Sequence, residues 1–348
     1  MSVFEHSEFD GHEHVAFYQD KTTGLKAIIA VHNSNLGSAL GGCRMWPYAS
    51  GEEALRDVLR LSKGMTYKAA MAGLKQGGGK AVIIGNPRTE KTPEKMLAMG
   101  KFIDSLSGKY ISAEDSGLTV DDLKLMGKKT EHVSGIQAKY HINSEPADGN
   151  PAPSTAYGVY VGLKTSVEHV MNSELEDIKV AIQGLGHVGM RLAKHLHRQG
   201  AKLYVTDIHP ENIEKAVSEF SAVAVMPEDI YDVDVDVFAP CAMGAILNAE
   251  NIARLNVKVI AGAANNQLAK EEFGQLLAEK GILYAPDYVI NAGGIIDIFH
   301  QSITSSDKKL REHIERISDT LLEIYRRAES QGIATNIVAN QIAEERFA

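Results

Sequence analysis

The sequence is poor in the residues on which several classes of protein depend. Its 348 residues include only two cysteines, Cys43 and Cys241, in no CxxC pattern, so neither a disulfide framework nor a cysteine-rich zinc site is expected. Histidines and acidic residues show no metal-ligand spacing, and we predict no metal site. Lysine and arginine number 36 against 45 acidic residues, and the resulting net charge of −9 argues against non-specific nucleic-acid binding.

Long apolar runs are also missing. No run approaches the ~20 residues that a transmembrane helix needs. The N-terminus, MSVFEHSEFDGHEH, is acidic where a signal peptide would be basic and then apolar. We therefore expect a cytoplasmic protein without a membrane or nucleic-acid partner. At 348 residues the chain is long for a single core, which favours two domains.

Residues 179–207, KVAIQGLGHVGMRLAKHLHRQGAKLYVTD, predict a strand, a helix and a second strand. Gly184 would permit the tight turn, Gly186 the approach of a pyrophosphate, and Gly189 close packing of the helix on the sheet. The diphosphate would lie on the helix N-terminus. Asp207 can bond the adenosine ribose and would repel a 2′-phosphate, which favours NAD over NADP. The residues assigned to NAD here are Gly184, Leu185, Gly186, His187, Val188, Gly189 and Asp207. The structural alternative is a tight strand-to-helix turn without a ligand.

The first half of the chain predicts an α/β domain. Its expected elements are a strand at 25–32, a glycine-rich loop at 37–43, an amphipathic helix at 52–72, a strand after the glycines at 77–79, a helix at 92–108 and a strand at 110–114. Because this half has no second dinucleotide fingerprint, we expect it to hold substrate.

The segment 143–153, NSEPADGNPAP, predicts a linker because proline, glycine and short polar residues dominate it. After it, helices alternate with strands in VDVFAP, VKVIAGAAN and GILYAP. This alternation predicts a doubly wound parallel sheet with its ligand at the carboxyl ends of the strands. The fold class is therefore α/β with two domains, at 1–145 and 146–329, followed by a helical tail.

Two lysines are candidates for chemistry. Lys68 lies on the apolar arc of the 52–72 helix, so its ammonium either snorkels to water or faces an anion in a cleft. Lys80 follows three glycines, an arrangement that suits a small carboxylate or carbonyl ligand, although a plain loop lysine is equally common.

Asp115 and the glycine pair allow two interpretations each. Asp115, at a strand end in AEDSG, is a turn-forming residue or an acid–base group, and Gly41 and Gly42 bind an anion through their N–H groups or form a turn. Combined with the dinucleotide unit and the two lysines, these groups indicate an oxidoreductase without naming its substrate.

A series of strings, in order along nearly the whole chain, resembles the amino acid dehydrogenases of the glutamate, leucine, phenylalanine and valine group. The strings are GGCRMWPY, SKGMTYKAA, GGGKAVIIG, ISAEDSG, PAPSTAYGVY, VAIQGLGHVG, FAPCAMG, IAGAANNQL and APDYVINAGG. Within the group they are most like those of leucine dehydrogenases. The resemblance implies oxidative deamination, in which an L-amino acid, water and NAD give a 2-oxo acid, ammonia and NADH.

The resemblance also implies residue roles. Lys68 would clamp the substrate carboxylate, aided by backbone groups of Gly41 and Gly42. Lys80 would be the base that activates water, and Asp115 would carry a proton to and from the substrate nitrogen. The resemblance further implies that Thr155, Cys241 and Ala242 contact the cofactor. Asn265 would lie between the cofactor and the substrate.

By the same resemblance, Leu40, Ala113, Ile295 and Ile298 would line the side-chain pocket. All four are aliphatic and none can pair a second carboxylate, so leucine, isoleucine and valine are the expected substrates. GGGK and CAMG motivate a phenylalanine- or tryptophan-preferring alternative. A third alternative is a non-catalytic NAD-binding sensor, because cofactor motifs alone do not prove turnover.

The family further implies a homo-oligomer, dimeric to octameric, and a cleft that closes between the domains. Domain 1–145 would then serve substrate binding and oligomerisation, and domain 146–329 would be the Rossmann domain. The C-terminal helix, at about 330–348, is expected to pack back on the first domain.

Overall fold

The computed structural model describes residues 2–136, 141–142 and 150–348, and most of the predicted linker lies outside them. Two separate sheets organise the described chain. No helix in these ranges is long and apolar enough to cross a bilayer. The cytoplasmic location and the domain boundaries at 145 and 329 stay predictions.

The first sheet has five strands in the order β1-β2-β4-β3-β5. They are β1 (His14–Asp20), β2 (Leu25–Asn33), β3 (Ala39–Trp46), β4 (Gly77–Ile84) and β5 (Tyr110–Glu114). β2 pairs antiparallel with β1 and β4, whereas β3 pairs parallel with β4 and β5. The accompanying helices are α1 (Gly51–Met71), α2 (Pro93–Asp104) and α3 (Val120–Met126).

Helices cover both faces of this sheet, because successive side chains of β2 pack against different helices. Ile28 belongs to an apolar cluster with α1, whereas Ile29 belongs to a second cluster with α2 and α3. Helix α1 begins at a Ser50 cap, whose side chain accepts the N–H of Glu53. The predicted helix at 52–72 is therefore confirmed, and so is the strand predicted at 110–114.

Two predictions about glycine-rich segments are wrong. The loop predicted at 37–43 belongs largely to strand β3, and the glycines at 77–79 lie inside β4 and not ahead of it. The reason is close approach, because a Cβ atom on Gly41 would come within 1.7 Å of the Gly79 carbonyl oxygen. The helix predicted at 92–108 ends earlier, at Asp104.

The second sheet has six parallel strands in the order β11-β10-β9-β6-β7-β8. They are β6 (Lys179–Gln183), β7 (Lys202–Thr206), β8 (Val223–Ala224), β9 (Val237–Pro240), β10 (Val259–Ile260) and β11 (Leu283–Tyr284). The chain enters this sheet at the central strand β6 and continues through β7 to the edge strand β8. It then returns to β9, beside β6, and continues to the other edge at β11, so the switch point lies between β6 and β9. This is the doubly wound order of dinucleotide-binding folds, and it confirms the predicted fold class.

The helices of this half of the chain precede, connect and follow these strands, and the last of them form the tail. They are α4 (Ala152–Met171), α5 (His187–Arg198), α6 (Pro210–Phe220), α7 (Ala249–Arg254), α8 (Phe273–Glu279), α9 (Asp287–Ile290), α10 (Gly293–Ser302), α11 (Asp307–Glu315), α12 (Ile317–Gln331) and α13 (Thr335–Phe347). Helix α13 lies against α1. Tyr67 donates to Glu344 at 2.7 Å, and Arg346 donates to the Met71 carbonyl at 3.1 Å.

Candidate active site

A cleft of about 570 Å³ lies between the two sheets. From the first sheet and its helix α1 it is lined by Lys68, Lys80 and Asp115, and from the second half of the chain by Asn265 and Asp287. Four residues singled out in the sequence for chemistry, Lys68, Lys80, Asp115 and Asn265, are thus brought to one cavity. Asn265 follows strand β10, so the cleft reaches the carboxyl ends of the parallel strands.

Lys80 and Asp115 meet across the glycine pair of strand β3, Gly41 and Gly42. Lys80 stands in β4 and Asp115 directly follows β5, while β3 runs between these two strands. A Cβ atom on Gly42 of β3 would come within 2.7 Å of the Asp115 Cβ, so only glycine leaves room there. The Lys80 ammonium contacts Asp115 Oδ2 as an ion pair. Lys80 is consequently a strand residue, and the loop-lysine alternative is wrong.

The surroundings of Asp115 decide its protonation. Burial by itself would raise the pKa of this carboxyl, but the Lys80 ammonium and the Arg44 guanidinium together hold it well below its usual value. Its other oxygen, Oδ1, accepts the N–H of Ser116 at 2.7 Å. Asp115 is therefore a carboxylate in this arrangement, and it can take up a proton only as the Lys80 charge is neutralised or moves away.

Lys68 projects from α1 into the cleft and is half-buried there. Its Nζ lies 3.4 Å from Asn265 Oδ1. Burial lowers the pKa of Lys68 to about 8; the Asp287 carboxylate counteracts this effect, and the Lys80 charge adds to it. An ammonium so placed attracts an anion entering the cleft, and it does not snorkel away from it.

Asn265 is held at its carbonyl end. Asn291 Nδ2 donates to Asn265 Oδ1 at 2.8 Å and to the Ala263 carbonyl at 3.0 Å. Because Lys68 approaches the same Oδ1, the amide nitrogen of Asn265 points away from both donors. That nitrogen can donate hydrogen bonds to a ligand in the cleft.

The four predicted pocket residues belong to one continuous apolar cluster. Leu40 of β3, Ala113 of β5 and Ile295 of α10 are buried members of this cluster. Ile298 lies one helical turn after Ile295 and packs against the cluster half-buried. Gly41 and Gly42 pair with Ser112 and Ala113 within the sheet, so the turn alternative for these glycines is wrong.

The predicted dinucleotide turn has the geometry of a phosphate site. Gly184 has φ +99°, and a Cβ there would meet Ala242 at 2.6 Å, while one on Gly189 would meet the Gly184 carbonyl at 2.0 Å. A Cβ on Gly186 would meet nothing within 4 Å, so this side of the turn is open. Helix α5 starts next to it without a side-chain cap. Its first N–H groups can therefore bind an anion.

Asp207 is anchored beside this turn. Its Oδ2 accepts the N–H of Leu185 at 2.5 Å and its Oδ1 that of His209 at 2.8 Å. Two apolar side chains next to the site, Ile208 and Met243, are 84% and 70% exposed, a surface suited to an aromatic base.

Cys241 and Ala242 follow β9 at the switch point, where Cys241 N–H donates to the Gln183 carbonyl at 2.8 Å. Thr155 lies in the first part of α4. Its hydroxyl donates to the Pro151 carbonyl at 3.0 Å and lies 2.7 Å from where a Cβ on Gly294 would be.

Sequence reasoning missed three polar residues that act on the predicted site residues. Arg44 forms ion pairs with Asp115 and Asp57, Asp287 acts on Lys68, and Asn291 orients Asn265. Asp287 and Asn291 stand inside APDYVINAGG, but nothing in their spacing distinguished them from turn or capping residues.

Comparisons with known proteins show the family of the chain. Residues 12–132 match the family model "Glu/Leu/Phe/Val dehydrogenase, dimerisation domain", and residues 150–208 and 204–347 match "Glutamate/Leucine/Phenylalanine/Valine dehydrogenase". The leucine dehydrogenase of Thermoactinomyces intermedius is 50% identical over 348 residues, 100% of this chain and 94% of that protein. The phenylalanine dehydrogenase of Caldalkalibacillus thermarum is 46% identical over 353 residues, with 100% and 94% covered. The crystal structure of the Nostoc punctiforme L-tryptophan dehydrogenase superposes with a TM-score of 0.86 at 46% identity, covering 97% of this chain and 96% of that one.

Proposed function

The chain belongs to the glutamate, leucine, phenylalanine and valine dehydrogenase family and is an amino acid dehydrogenase, and from this premise we propose the NAD-dependent oxidative deamination of branched-chain aliphatic L-amino acids. In this reaction the amino acid, water and NAD⁺ give a 2-oxo acid, ammonium, NADH and a proton, reversibly. The supporting observation is the gathering of Lys68, Lys80, Asp115 and Asn265 in one cleft.

Substrate binding would use both sides of the cleft. Lys68 pairs with the substrate carboxylate, with backbone groups of Gly41 and Gly42 nearby. The amide nitrogen of Asn265 donates to the same substrate, because its carbonyl end is occupied by Asn291. The aliphatic side chain enters the cluster of Leu40, Ala113, Ile295 and Ile298, which offers no partner to a second carboxylate.

The chemical steps require proton transfers at two atoms. Lys80 Nζ acts as a neutral amine, after its ammonium has released a proton to solvent, and takes a proton from the water that attacks the oxidised substrate α-carbon. Asp115 Oδ2 passes a proton to and from the substrate nitrogen. A bound nicotinamide would supply the hydride acceptor for that carbon. Closure of the cleft would exclude other water, which protects the imine and strengthens each polar contact.

NAD would lie across the turn between β6 and α5. Its pyrophosphate fits the open side of Gly186 and the uncapped start of α5, and its ribose fits the Asp207 carboxylate. The remaining residues proposed to hold it are Leu185, His187, Val188, Gly184, Gly189, Cys241, Ala242, Thr155 and Asn265.

The decisive test of the proposal is a panel of amino acids incubated with NAD or NADP, read as absorbance of the reduced cofactor. Turnover of leucine, isoleucine and valine with NAD supports it. Absence of NADH formation with these three and with phenylalanine at alkaline pH refutes it.

Exchange of Asp207 tests the cofactor preference. Asp207→Ser should raise the kcat/KM ratio of NADP to NAD about tenfold or more, since a carboxylate opposite a 2′-phosphate repels it. The control is Asp234→Ser, an exposed carboxylate paired with Lys179 at 3.1 Å and unrelated to the turn. An unchanged ratio in the Asp207 variant would contradict the assignment of this residue to the ribose.

Leu40 tests the pocket. Leu40→Gly should raise the kcat/KM ratio of phenylalanine to leucine about 10-fold or more, because it removes a fully buried isobutyl group where the side chain would lie. A buried truncation of this kind also costs stability, on the order of 2–5 kcal/mol. Leu59→Ala, in a different apolar cluster, serves as the control for lost stability and should leave the ratio unchanged.

A phenylalanine- or tryptophan-preferring enzyme is the second candidate. It is favoured by the phenylalanine and tryptophan dehydrogenases, which are each 46% identical to the chain, close to the 50% of the leucine dehydrogenase. Because single side chains in the pocket decide such preferences, the kcat/KM values of leucine, phenylalanine and tryptophan for the wild-type enzyme separate the two candidates.

We further propose a homo-oligomer built through the first domain, since residues 12–132 match a model described as a dimerisation domain. Light scattering should give a multiple of the 37.8 kDa chain mass, and a monomer at micromolar concentration would contradict this.

A further inference from the structure

Arg44 of β3 stands between two carboxylates. Its Nε lies 3.3 Å from Asp115 Oδ2, and its Nη1 donates to Asp57 Oδ2 at 3.1 Å. The guanidinium therefore connects three elements: β3, the helix α1 and the turn after β5. It is half-buried and lines the same cleft as Lys80.

Asp57 fixes Arg44 independently of Asp115. Besides Arg44, Asp57 Oδ2 accepts the Tyr48 hydroxyl at 2.6 Å, and Oδ1 accepts Arg60 Nη2 at 2.7 Å and Nε at 3.1 Å. With both oxygens bound, the Asp57 carboxylate has little freedom to turn. The guanidinium it holds is thus placed before any ligand enters the cleft.

We propose that Arg44 is a positioning residue for the reaction: anchored by Asp57, its guanidinium holds the Asp115 carboxylate beside the Lys80 ammonium and keeps it free of a proton. This inference rests on the proposed function, whose role for Asp115 it deepens. Arg44 itself need not touch the substrate.

The charges around Asp115 give the physical reason. Oδ2 faces both Lys80 and Arg44, so two cations offset the cost of burying one carboxylate. Without Arg44, Lys80 would be the one cation of this pair still in contact with Oδ2 and the burial would be unchanged, which raises the pKa of Asp115. Several other titratable and charged groups of the described chain interact electrostatically with this carboxylate. They are Lys80 of β4, Cys43 and Arg44 of β3, Lys68 of α1, Tyr110 and Glu114 of β5, and Tyr48. Among them only Lys80, Lys68 and Arg44 carry positive charge.

The test compares Arg44→Met and Arg44→Lys with the wild-type enzyme in leucine deamination over a range of pH. For Arg44→Met we expect kcat to fall about 10-fold or more and the acidic limb of the kcat profile to move up by about one pH unit or more, since one close cation shifts a carboxyl by that amount. The KM for leucine should change less than about threefold, because Lys68 still binds the carboxylate. Arg44→Lys should restore part of the acidic limb, because it returns the charge but not the fork that spans both carboxylates.

The matched control is Arg56→Met, since Arg56 lies on α1 and pairs with Glu8 at 3.5 Å, away from Asp115. It should keep the wild-type kcat and pH profile. If Arg44→Met does not fold, the variant Asp57→Asn takes its place in the test. Arg44 is then present but lacks the charged partner that anchors it. We expect the acidic limb of the kcat profile to move in the same direction by a smaller amount.

An active wild-type enzyme whose Arg44→Met or Asp57→Asn variant keeps its kcat and acidic limb would overturn this inference alone. A fall in kcat without any movement of the limb would also overturn it, because that result indicates a merely structural role. A wild-type enzyme that deaminates no amino acid would overturn the proposed function instead.

Discussion

Lys80→Ala should lower kcat for leucine deamination about 10²–10⁴-fold while leaving the affinity for NADH unchanged. The Lys80 side chain is buried in β4 and its ammonium contacts the Asp115 carboxylate. Alanine therefore removes the group proposed to activate water and one of the two cations that pair with Asp115 Oδ2. The dinucleotide turn belongs to the other sheet and should not be affected. Steady-state kinetics at saturating leucine gives kcat, and titration of NADH fluorescence gives the affinity.

The matched control for this variant is Lys26→Ala. Lys26 lies on the neighbouring strand β2 and is exposed, so its loss removes a strand lysine without entering the cleft. Its kcat should stay within about twofold of the wild type. A Lys80 variant that kept its kcat would rule out the proposed base, and one that lost NADH binding would show that the fall in activity has a different origin.

The strand, helix and strand within residues 179–207 could be predicted from sequence because glycines of the first turn serve the local backbone. Gly184 has a positive φ and Gly189 lies against the carbonyl of Gly184, a few residues away in the same turn. Because these requirements act between residues that are close in sequence, the spacing of the glycines reveals them. Helix α1 was equally predictable, since one side of it is buried against the sheet and the apolar period of a helix results.

Strand β3 could not be predicted, because its glycines are required by residues that are distant in sequence. Gly41 is required by the backbone at Gly79 and Gly42 by the side chain of Asp115, contacts that exist only after folding. Local propensity favours a loop for such a sequence, and tertiary packing overrides it.

The ion pairs of Arg44 could not be predicted either, because they too join residues that are distant in sequence. Asp57 and Asp115 lie on different elements and approach Arg44 only in the folded chain. The sequence thus indicated which residue types the site holds, but not which charges face each other, and the latter determine the protonation of Asp115.

The charge of Lys68 should set an alkaline limit to carboxylate binding. Burial lowers the pKa of Lys68 to about 8, so its ammonium is present at neutral pH and is lost as the pH rises through that value. A bound carboxylate favours the charged form and raises this pKa in the complex. Binding of a carboxylate should therefore be constant below pH 8 and weaken about tenfold per pH unit well above it.

The measurement uses 4-methylpentanoate, a leucine analogue without an amino group, as a competitive inhibitor between pH 6.5 and 10. Its Ki should follow the Lys68 titration in the wild-type enzyme. Lys68→Met should raise Ki about 10–100-fold at pH 7, the value of a charge-assisted hydrogen bond, and abolish the dependence on pH. Lys63→Met is the control, because Lys63 lies on α1 beside the same cleft but pairs with Asp10 at 2.8 Å. A wild-type Ki that stays flat up to pH 10 would show that Lys68 is not the carboxylate partner, since a neutral amine cannot replace the ion pair that a buried substrate carboxylate requires.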